Sequence, residues 1–571
     1  MPQQLEYAYL DQESLVLTSK QRLQVPRVSL ACFLWDALER HQDKRIIADG
    51  ASGQMYTGRE VMQLASRVAL RLHQLGLTQQ DIVCGFMPDT ALYALAILGV
   101  TFSSAIFSGC HAGRATRSSL PMRELLAHVS DLEPKVLMCS LDVLPFIIKL
   151  ADMTPCVTAV LLVTSPGQEV RQQESKTPTG KPLVLVDWSA VLPDDLQMPV
   201  HRQEDPREAV ALISASSGST GKPKLIMSTD EALVEQALAL TMAMDHEDRV
   251  ELTFSGFAHG FTHYQLHMGI HAGSTIVVSD SDTPFTCLLQ QMQDHQVTTF
   301  WLAPSDVNQL NQLDSYNKYD LKHWRELTLT GSYAPPSVLQ TFKQMTGNRI
   351  DVRNMYGSSE VCVAIVSPAG VNKLDALGVL LPGCSLRIVD PSTGTSLAAM
   401  KSGQIHVRKQ RPSRYKISGS DSLSCGVSDT HWVDMGDRGF FDDRGFVYFE
   451  ARAKDMMSVG GADVSPTELE QLLLQQEGVT SAAVVGVPHE QLLEAPKAFV
   501  TLAPGVDRER VQDIMRSVNA SLFFWKRLAG GIEVLDKLPT NSINKIDRKA
   551  LRNWTAVHEN LFLPQEHELH E

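Results

Sequence analysis

Hydrophobic positions along the chain follow two periods in turn. Residues Arg59–Leu75 repeat apolar side chains at helical spacing and stop before Gly76, which predicts a helix with a glycine end signal. Between such helices lie short apolar runs that predict buried strands: Val136–Cys139, Leu183–Val186, Ala209–Ile213, Thr275–Val278 and Thr299–Leu302. This alternation indicates an α/β chain with largely parallel sheets.

The last part of the chain reads as a separate unit. A helix from Glu468 leads into strands over Ser481–Pro488 and Lys497–Pro504, then a helix over Arg508–Leu522 and a strand over Gly531–Asp536. These elements predict a compact α+β domain of about 100 residues, which is within the usual domain range.

Four other stretches shape this outline. The charged residues Ala451–Asp455 suit a linker, and the turn-rich segments 165–181 and 411–429 predict surface loops. Residues Thr90–Cys110 carry no charge and are long enough to span a bilayer. They contain two glycines and several Ser and Thr, however, and divide into a helix followed by a strand, so a buried core helix is the favoured interpretation.

Composition limits the class of protein. The chain has 571 residues, 43% of them hydrophobic and 20% charged, which predicts an ordinary globular protein of two to four domains. The net charge of −14 without a basic block argues against nucleic acid or an anionic membrane as the main partner. Nine scattered cysteines without a CxxC pair suit a reducing compartment, and the N-terminus lacks a signal-peptide pattern, so we expect a cytoplasmic protein.

One glycine- and serine-rich stretch carries candidate chemistry. Residues Ser214–Lys224 read SASSGSTGKPK, and small residues there leave backbone N–H groups free to form an anion nest beside two lysines. The Walker A pattern does not fit, because Ser216 replaces its first glycine and Pro223 its hydroxyl residue. A polyphosphate site and an ordinary solvated loop both remain compatible with these residues.

Four further motifs follow this stretch in the chain. They are MYGSSE (Met355–Glu360), MGDRGFFDDRG (Met435–Gly445), ARAKD (Ala451–Asp455) and LPTNSINKIDRKAL (Leu538–Leu551). With SSGSTGKPK, and in this order, they resemble the adenylate-forming superfamily of acyl-CoA synthetases, 4-coumarate-CoA ligase-like enzymes and insect luciferases. The resemblance covers almost the whole length of the chain.

The resemblance implies a fold and an activity. We expect a large N-terminal domain of packed mixed β-sheets with flanking helices (1–452), a hinge (453–455) and a small mobile C-terminal α+β domain (456–571). The implied reaction uses ATP, Mg²⁺ and CoA to convert a neutral, hydrophobic carboxylic acid to an acyl-adenylate and then to acyl-CoA. Alternatives are an acyl-AMP ligase that delivers to a separate carrier protein, and a nucleotide- or lipid-binding pseudoenzyme without turnover.

The resemblance also implies roles for individual residues. The ATP phosphates would lie on Ser216, Ser217, Gly218, Ser219, Thr220, Gly221, Lys222 and Lys224. The adenine and α-phosphate would meet Gly331, Ser332, Tyr333, Ala334, Asn354, Tyr356, Gly357 and Ser359, with Glu360 as the Mg²⁺ ligand. Asp437 would bind the ribose hydroxyls, Arg452 the ribose or phosphates, and Lys545 the α-phosphate and the substrate carboxylate, while Lys454 would be the hinge.

The acyl group would lie along Phe254–Phe261, with His259 near its carboxylate. This stretch has no carboxylate to pair with an ammonium, which favours a neutral acid. His259, His263, His267 and His271 repeat every four residues, but a helix spreads them over about 18 Å, so they cannot share one ion. Metal binding and helix packing both remain interpretations of this repeat. Two departures from the family are Asn544 before the lysine and Ser458 where luciferases carry a lysine, so light emission is not expected.

Overall fold

The computed structural model describes residues 3–111, 122–168, 176–192, 204–216, 224–313, 316–410, 414–417, 423–424, 432–459, 462–489, 492–507, 510–540 and 545–558. Its α-helices are α1 (Leu30–Arg40), α2 (Gly58–Gln74), α3 (Ala91–Phe102), α4 (Met122–Leu132), α5 (Leu144–Met153), α6 (Asp230–Ala243), α7 (Gly260–Ala272), α8 (Phe285–Asp294), α9 (Pro304–Asn311), α10 (Pro336–Met345), α11 (Pro466–Leu474), α12 (Val511–Ala520) and α13 (Arg548–His558).

The strands lie between these helices. They are β1 (Gln3–Gln4), β2 (Ala8–Leu10), β3 (Leu17–Ser19), β4 (Arg45–Asp49), β5 (Met55–Thr57), β6 (Ile82–Met87), β7 (Ile106–His111), β8 (Val136–Cys139), β9 (Ala159–Leu162), β10 (Leu183–Leu185), β11 (Val210–Ser216), β12 (Lys224–Thr229), β13 (Val250–Thr253), β14 (Thr275–Val278), β15 (Thr299–Leu302), β16 (Glu326–Leu329), β17 (Asp351–Ser358), β18 (Cys362–Val366), β19 (Val379–Leu380), β20 (Ser385–Val389), β21 (Ser396–Leu397), β22 (Gly403–Arg408), β23 (Arg414–Ile417), β24 (Leu423–Ser424), β25 (Val433–Phe441), β26 (Val447–Arg452), β27 (Met457–Val459), β28 (Ala462–Val464), β29 (Val479–His489), β30 (Leu493–Leu502) and β31 (Ile532–Val534).

Three sheets form the part of the chain before residue 453. Sheet 1 is antiparallel, with order β1-β2-β3-β20-β22-β25-β26 and β21 beside β20. Sheet 2 runs β10-β9-β8-β6-β7-β11-β12-β23-β24, and sheet 3 runs β19-β18-β17-β16-β15-β13-β14-β4-β5. The centres of sheets 2 and 3 are parallel, from β10 to β11 and from β17 to β4, as the apolar runs predict.

The uncharged stretch Thr90–Cys110 is a buried helix and strand, which confirms the favoured interpretation. Thr90 caps α3 through its side chain, and nearly every residue of α3 is buried in the main core. Strand β7 follows and pairs with β6 and β11. Within the described ranges, no helix combines the length and the hydropathy needed to cross a lipid bilayer.

The predicted helix at Arg59–Leu75 is α2, shifted by one residue at each end. Its start is fixed by a capping box, in which the Thr57 side chain accepts from the Glu60 backbone N–H and the Glu60 carboxylate accepts from the Thr57 backbone N–H. The helix then packs its apolar face against α3 in the main core.

The predicted surface loop at 411–429 is partly wrong. Residues Arg414–Ile417 form β23, which pairs antiparallel with β12, and Leu423–Ser424 form β24 beside it. These two short strands extend sheet 2 to its edge through backbone pairing, which does not require apolar side chains. The described parts of the other predicted loop, 165–168 and 176–181, contain neither a helix nor a strand, and Lys176 forms only an isolated bridge with Pro182.

The last part of the chain has its own hydrophobic cores. Strands β29, β30 and β31 form one sheet, and α11 and α12 pack on it with Leu469, Val484 and Val518 among the buried residues. The predicted order of helix, two strands, helix and strand is therefore observed, although α12 spans only Val511–Ala520.

Candidate active site

Two paired strands of sheet 2 hold the ends of the glycine- and serine-rich loop. Ser216 ends β11, Lys224 begins β12, and these two residues are directly opposite each other in an antiparallel pair. The two described ends of this stretch are therefore neighbours in the sheet. The predicted phosphate-binding residues Ser217, Gly218, Ser219, Thr220, Gly221 and Lys222 lie outside the described residues.

The last lysine of this loop pairs with the predicted Mg²⁺ ligand. Lys224 Nζ lies 3.1 Å from Glu360 Oε1, and both side chains are largely buried. Glu360 follows β17 in a tight turn that requires Gly357, because a Cβ on Gly357 would lie only 1.7 Å from the carbonyl oxygen of Cys362. The sequence motif around Gly357 thus fixes where the Glu360 carboxylate meets the end of the loop.

Asp437 of sheet 1 is a buried carboxylate at the centre of a polar cluster that also includes the exposed Arg452 and, from sheet 3, Tyr356. It lies on β25 opposite Arg452 of β26, and Arg452 Nη1 is 3.1 Å from its Oδ1. The Tyr356 hydroxyl donates to Asp437 Oδ2 at 2.6 Å. Burial raises the pKa of Asp437, while the Arg452 charge and the Tyr356 hydrogen bond oppose that rise. Arg452 and Tyr356 thus hold the Asp437 side chain at a buried position, where an ionised carboxylate without such partners would be unfavourable.

Lys545 lies within electrostatic range of this cluster, although it belongs to the part of the chain after the predicted hinge. Its side chain is open to solvent, yet enough protein surrounds it that desolvation lowers its pKa, and the Arg452 charge lowers the pKa further. The Asp437 charge acts in the opposite direction and raises the pKa of Lys545. The structure therefore brings Lys545, Arg452 and Asp437 within electrostatic range of one another.

The predicted adenine wall lies beside this cluster. Tyr333 stacks on Phe449 with ring centroids 4.9 Å apart, and its hydroxyl accepts from Gln471 Nε2 at 2.7 Å. Gly331 has a φ of +90°, a backbone conformation that L side chains rarely adopt, and Gly331 and Ser332 are exposed while Ala334 is buried. Asn354 is held by hydrogen bonds of its side chain and backbone to Ala376 and Ser367.

The predicted hinge is a short 3₁₀ turn over Ala453–Asp455. Lys454 is exposed in this turn, whereas Asp455 pairs with Arg548 and Arg552 of α13 at 3.5 and 3.4 Å. The turn is thus anchored to the helix that follows Lys545 in the chain. Ser359 lies with Glu360 in the turn after β17.

The predicted acyl-binding stretch Phe254–Phe261 is fixed by buried polar groups. Asp89 accepts a hydrogen bond from the Phe257 backbone N–H at 2.8 Å, and the His263 ring donates to the Phe257 carbonyl at 2.9 Å. His259 is partly buried at the N-terminus of α7. Sequence reasoning missed Asp89, although an acidic residue just after β6, at the carboxyl edge of a parallel sheet, is a recognisable signal.

The histidine repeat on α7 consists mainly of packing residues. His263 and His267 are buried, and desolvation lowers their pKa values to about 4 and about 3, so both are neutral. His271 stacks on Phe33 with ring centroids 4.6 Å apart. Among the described residues, no group of three or more His, Cys, Asp or Glu side chains has the arrangement of a metal site.

Asp89 gives a pH-dependent prediction. Burial raises its pKa to about 7, so between about pH 4 and 7 the folded chain keeps a proton that the unfolded chain loses. Stability must therefore fall as pH rises through this window. Asp89→Asn keeps an acceptor for the Phe257 N–H but cannot ionise. We expect its free energy of unfolding, relative to that of the unmodified chain, to increase by several kcal/mol as the pH rises from about 4 to 8.

Denaturation in urea at a series of pH values measures this gain. The exposed Asp294→Asn is the matched control and should show no such trend. A constant difference between Asp89→Asn and the unmodified chain from pH 4 to 8 would contradict the prediction.

Known protein families match both parts of the chain. Residues 34–414 match the AMP-binding enzyme model, and residues 468–545 match the AMP-binding enzyme C-terminal domain. The first match alone covers more than half of the chain. The chain belongs to the AMP-binding enzyme family. This confirms the resemblance to the adenylate-forming superfamily, and the predicted hinge lies between the two matched segments.

Individual relatives and solved structures are similar to this AMP-binding enzyme over nearly its whole length. A 4-coumarate--CoA ligase-like protein 9 of Oryza sativa subsp. japonica is 27% identical over 543 residues, which is 92% of each chain. The structure of the anthranilate CoA ligase AuaEII with anthranoyl-AMP superimposes with a TM-score of 0.78 at 22% identity, covering 94% of this chain and 99% of that one. The amide bond synthetase McbA of Marinactinospora thermotolerans gives 0.77 at 20% identity over 92% and 99%.

These matches establish the general class of activity. The AMP-binding enzyme is an adenylate-forming ligase that uses ATP. Its large domain has the several sheets, and its C-terminal part the smaller α+β unit, that the motifs predict. The residues present would fit Mg²⁺: Glu360 offers one carboxylate beside Lys224, and a magnesium ion at a nucleotide is commonly held by one or two carboxylates together with phosphates and water.

Proposed function

We propose that this AMP-binding enzyme activates a neutral, hydrophobic carboxylic acid with ATP and transfers the acyl group to CoA. The observation that carries the proposal is the convergence of Lys545 on the Asp437–Arg452 pair, with the Lys224–Glu360 pair holding the end of the phosphate loop. Two cations from the two sides of the proposed hinge, Arg452 and Lys545, therefore lie within electrostatic range of each other, where they would offset the charge of a carboxylate and a polyphosphate.

In the first half-reaction a carboxylate oxygen attacks the α-phosphorus of ATP. The new bond is acyl oxygen to phosphorus, the bond from the α-phosphorus to the bridging oxygen breaks, and pyrophosphate leaves. Both reactants are anions, so the protein contributes mainly position and charge. Lys545 would neutralise the charge that both share at the α-phosphate, and Lys224 with its loop would gather the departing pyrophosphate.

Other residues would hold the nucleotide. Asp437 offers two carboxylate oxygens to the two ribose hydroxyls, while Arg452 would take the ribose or phosphates. Glu360 would hold a magnesium ion, which supplies charge neutralisation for the phosphates when bound. Release of Glu360 from Lys224 on nucleotide binding would free the lysine for phosphate.

In the second half-reaction the CoA thiolate attacks the acyl carbon of the adenylate. A carbon–sulfur bond forms, the carbon–oxygen bond to AMP breaks, and AMP leaves with the electron pair. Lys545 must withdraw to admit the thiol, so the small domain would rotate at Lys454. The Gln471–Tyr333 and Asn308–Thr480 hydrogen bonds join the two sides of the hinge and would break in that rotation.

Two features support an uncharged, apolar acyl group. The stretch Phe254–Phe261 carries no charged side chain apart from its histidine, and Phe261 packs on Trp301 with ring centroids 5.1 Å apart. The buried Asp89 carboxylate accepts from the Phe257 backbone and so is occupied beneath this stretch. The similarity to a 4-coumarate--CoA ligase-like protein and to an anthranilate CoA ligase supports an aromatic acid within this class.

Pyrophosphate release over a panel of aromatic and aliphatic acids tests the proposal. We expect release to depend on the acid, and acyl-CoA to form only when CoA is added. Because a similar structure is that of an amide bond synthetase, a parallel arm offers amines in place of CoA. Acid-dependent pyrophosphate release with no CoA thioester would overturn the CoA acceptor, and no release with any acid would overturn the activity itself.

A further inference from the structure

A second polar cleft lies on sheet 1, away from the candidate active site. It has a volume of about 520 Å³ and is lined by Asp11, Ser14, Val16, Thr18, Arg387, Ser396, Arg408 and Trp432. This volume is within the range of small-molecule sites. Successive side chains of β25 point to opposite faces of sheet 1. The exposed Asp434 is on the face that carries the cleft, and the buried Asp437 is on the other face.

Two arginines in this cleft lie against one indole. The guanidinium carbons of Arg387 and Arg408 are 4.7 and 4.9 Å from the centre of the Trp432 ring. Arg387 is on β20 and Arg408 is on the neighbouring strand β22, opposite Ser385. Stacking on an aromatic ring holds a guanidinium in place without using its N–H donors.

The donors of both arginines are unused within the described residues. There, neither guanidinium forms an ion pair or hydrogen bond, and Arg387 Nε is buried without an acceptor. Among the described lining residues the one carboxylate is that of Asp11, which already accepts from Ser14 Oγ and the backbone N–H groups of Glu13 and Ser14. Burial and the Arg408 charge lower the pKa of Arg387, so the pair repels in the absence of an anion.

We propose that this cleft binds a small phosphate ester through Arg387 and Arg408. A phosphate monoester carries close to two negative charges and presents several oxygens, which match two neighbouring guanidinium forks. The nearby His406 lies opposite Arg387, is neutral because burial lowers its pKa, and has Asp434 4.0 Å from Nε2. The site is separate from the ATP site, so it stands whichever acceptor the enzyme uses.

Calorimetric titration of the full chain with phenyl phosphate tests this site. Inorganic phosphate is a second probe that separates free phosphate from an ester, and benzoate is the probe for a carboxylate. We expect R387Q/R408Q to lose affinity for phenyl phosphate about tenfold or more at the cleft, with adenylation unchanged. K224A should keep cleft binding, since Lys224 belongs to the ATP site, and R516Q, an exposed arginine elsewhere, is the matched control.

Three results would overturn the proposal. They are unchanged affinity in R387Q/R408Q, loss of the same binding in K224A instead, and benzoate binding as tight as that of phenyl phosphate. If R387Q/R408Q does not fold by circular dichroism, R387K/R408K replaces it. Lysine keeps the charge but not the guanidinium fork, so weaker binding supports the site and unchanged binding overturns it.

Discussion

Replacing Lys545 by alanine is expected to lower the rate of acyl-adenylate formation about 10²- to 10³-fold, the usual loss when one preorganised donor to a developing charge is removed. The ammonium is within electrostatic range of the Asp437–Arg452 pair, and Asp437 is held by Tyr356 and Arg452. ATP binding should therefore change little, and the effect should fall on kcat. Pyrophosphate exchange with the preferred acid measures it.

The lowered pKa of Lys545 adds a pH signature to this prediction. Desolvation and the Arg452 charge favour the neutral amine, so adenylation should decline on the alkaline side at a pH below the ordinary lysine pKa. Lys549→Ala, an exposed lysine on α13, is the matched control and should keep full activity. An Lys545→Ala variant with an unaltered rate of AMP-ester production would remove Lys545 from the mechanism.

Replacing Asp437 by asparagine is expected to raise the KM for ATP about 10- to 100-fold, because a hydrogen bond to a charged group contributes about 1.5–3 kcal/mol. Asparagine has one acceptor oxygen where the ribose would need two. It also leaves Arg452 without its carboxylate partner, since Asp437 Oδ1 is 3.1 Å from Arg452 Nη1. The loss should be mainly in ATP binding, in contrast to the loss in kcat for Lys545→Ala.

Initial rates against ATP concentration measure the change at Asp437. Asp434→Asn is the matched control, because Asp434 lies on the same strand but faces solvent on the other side of sheet 1. Equal KM values for Asp437→Asn and Asp434→Asn would show that the ribose is not bound at Asp437.

The sequence by itself determined many of the helices and strands and the order of the functional motifs along the chain. Apolar runs such as Thr275–Val278 and Thr299–Leu302 became strands with the same bounds, because a buried parallel strand must be apolar on both faces. The motifs around Glu360, Asp437 and Lys545 were recognisable because each carries an unusual spacing of glycine and charged residues. The sequence did not indicate which of these motifs come together in the fold or how far apart they lie.

Only the tertiary structure decided which of these residues meet. Tyr356 and Asp437 are 81 positions apart, and nothing local indicates that the hydroxyl donates to the carboxylate. Strand β23 and its neighbour β24 were missed because the partner of β23, β12, lies far away in the sequence. Asp89 under Phe257, and Arg387 with Arg408 on Trp432, are also long-range contacts, and periodicity describes only neighbours along one element.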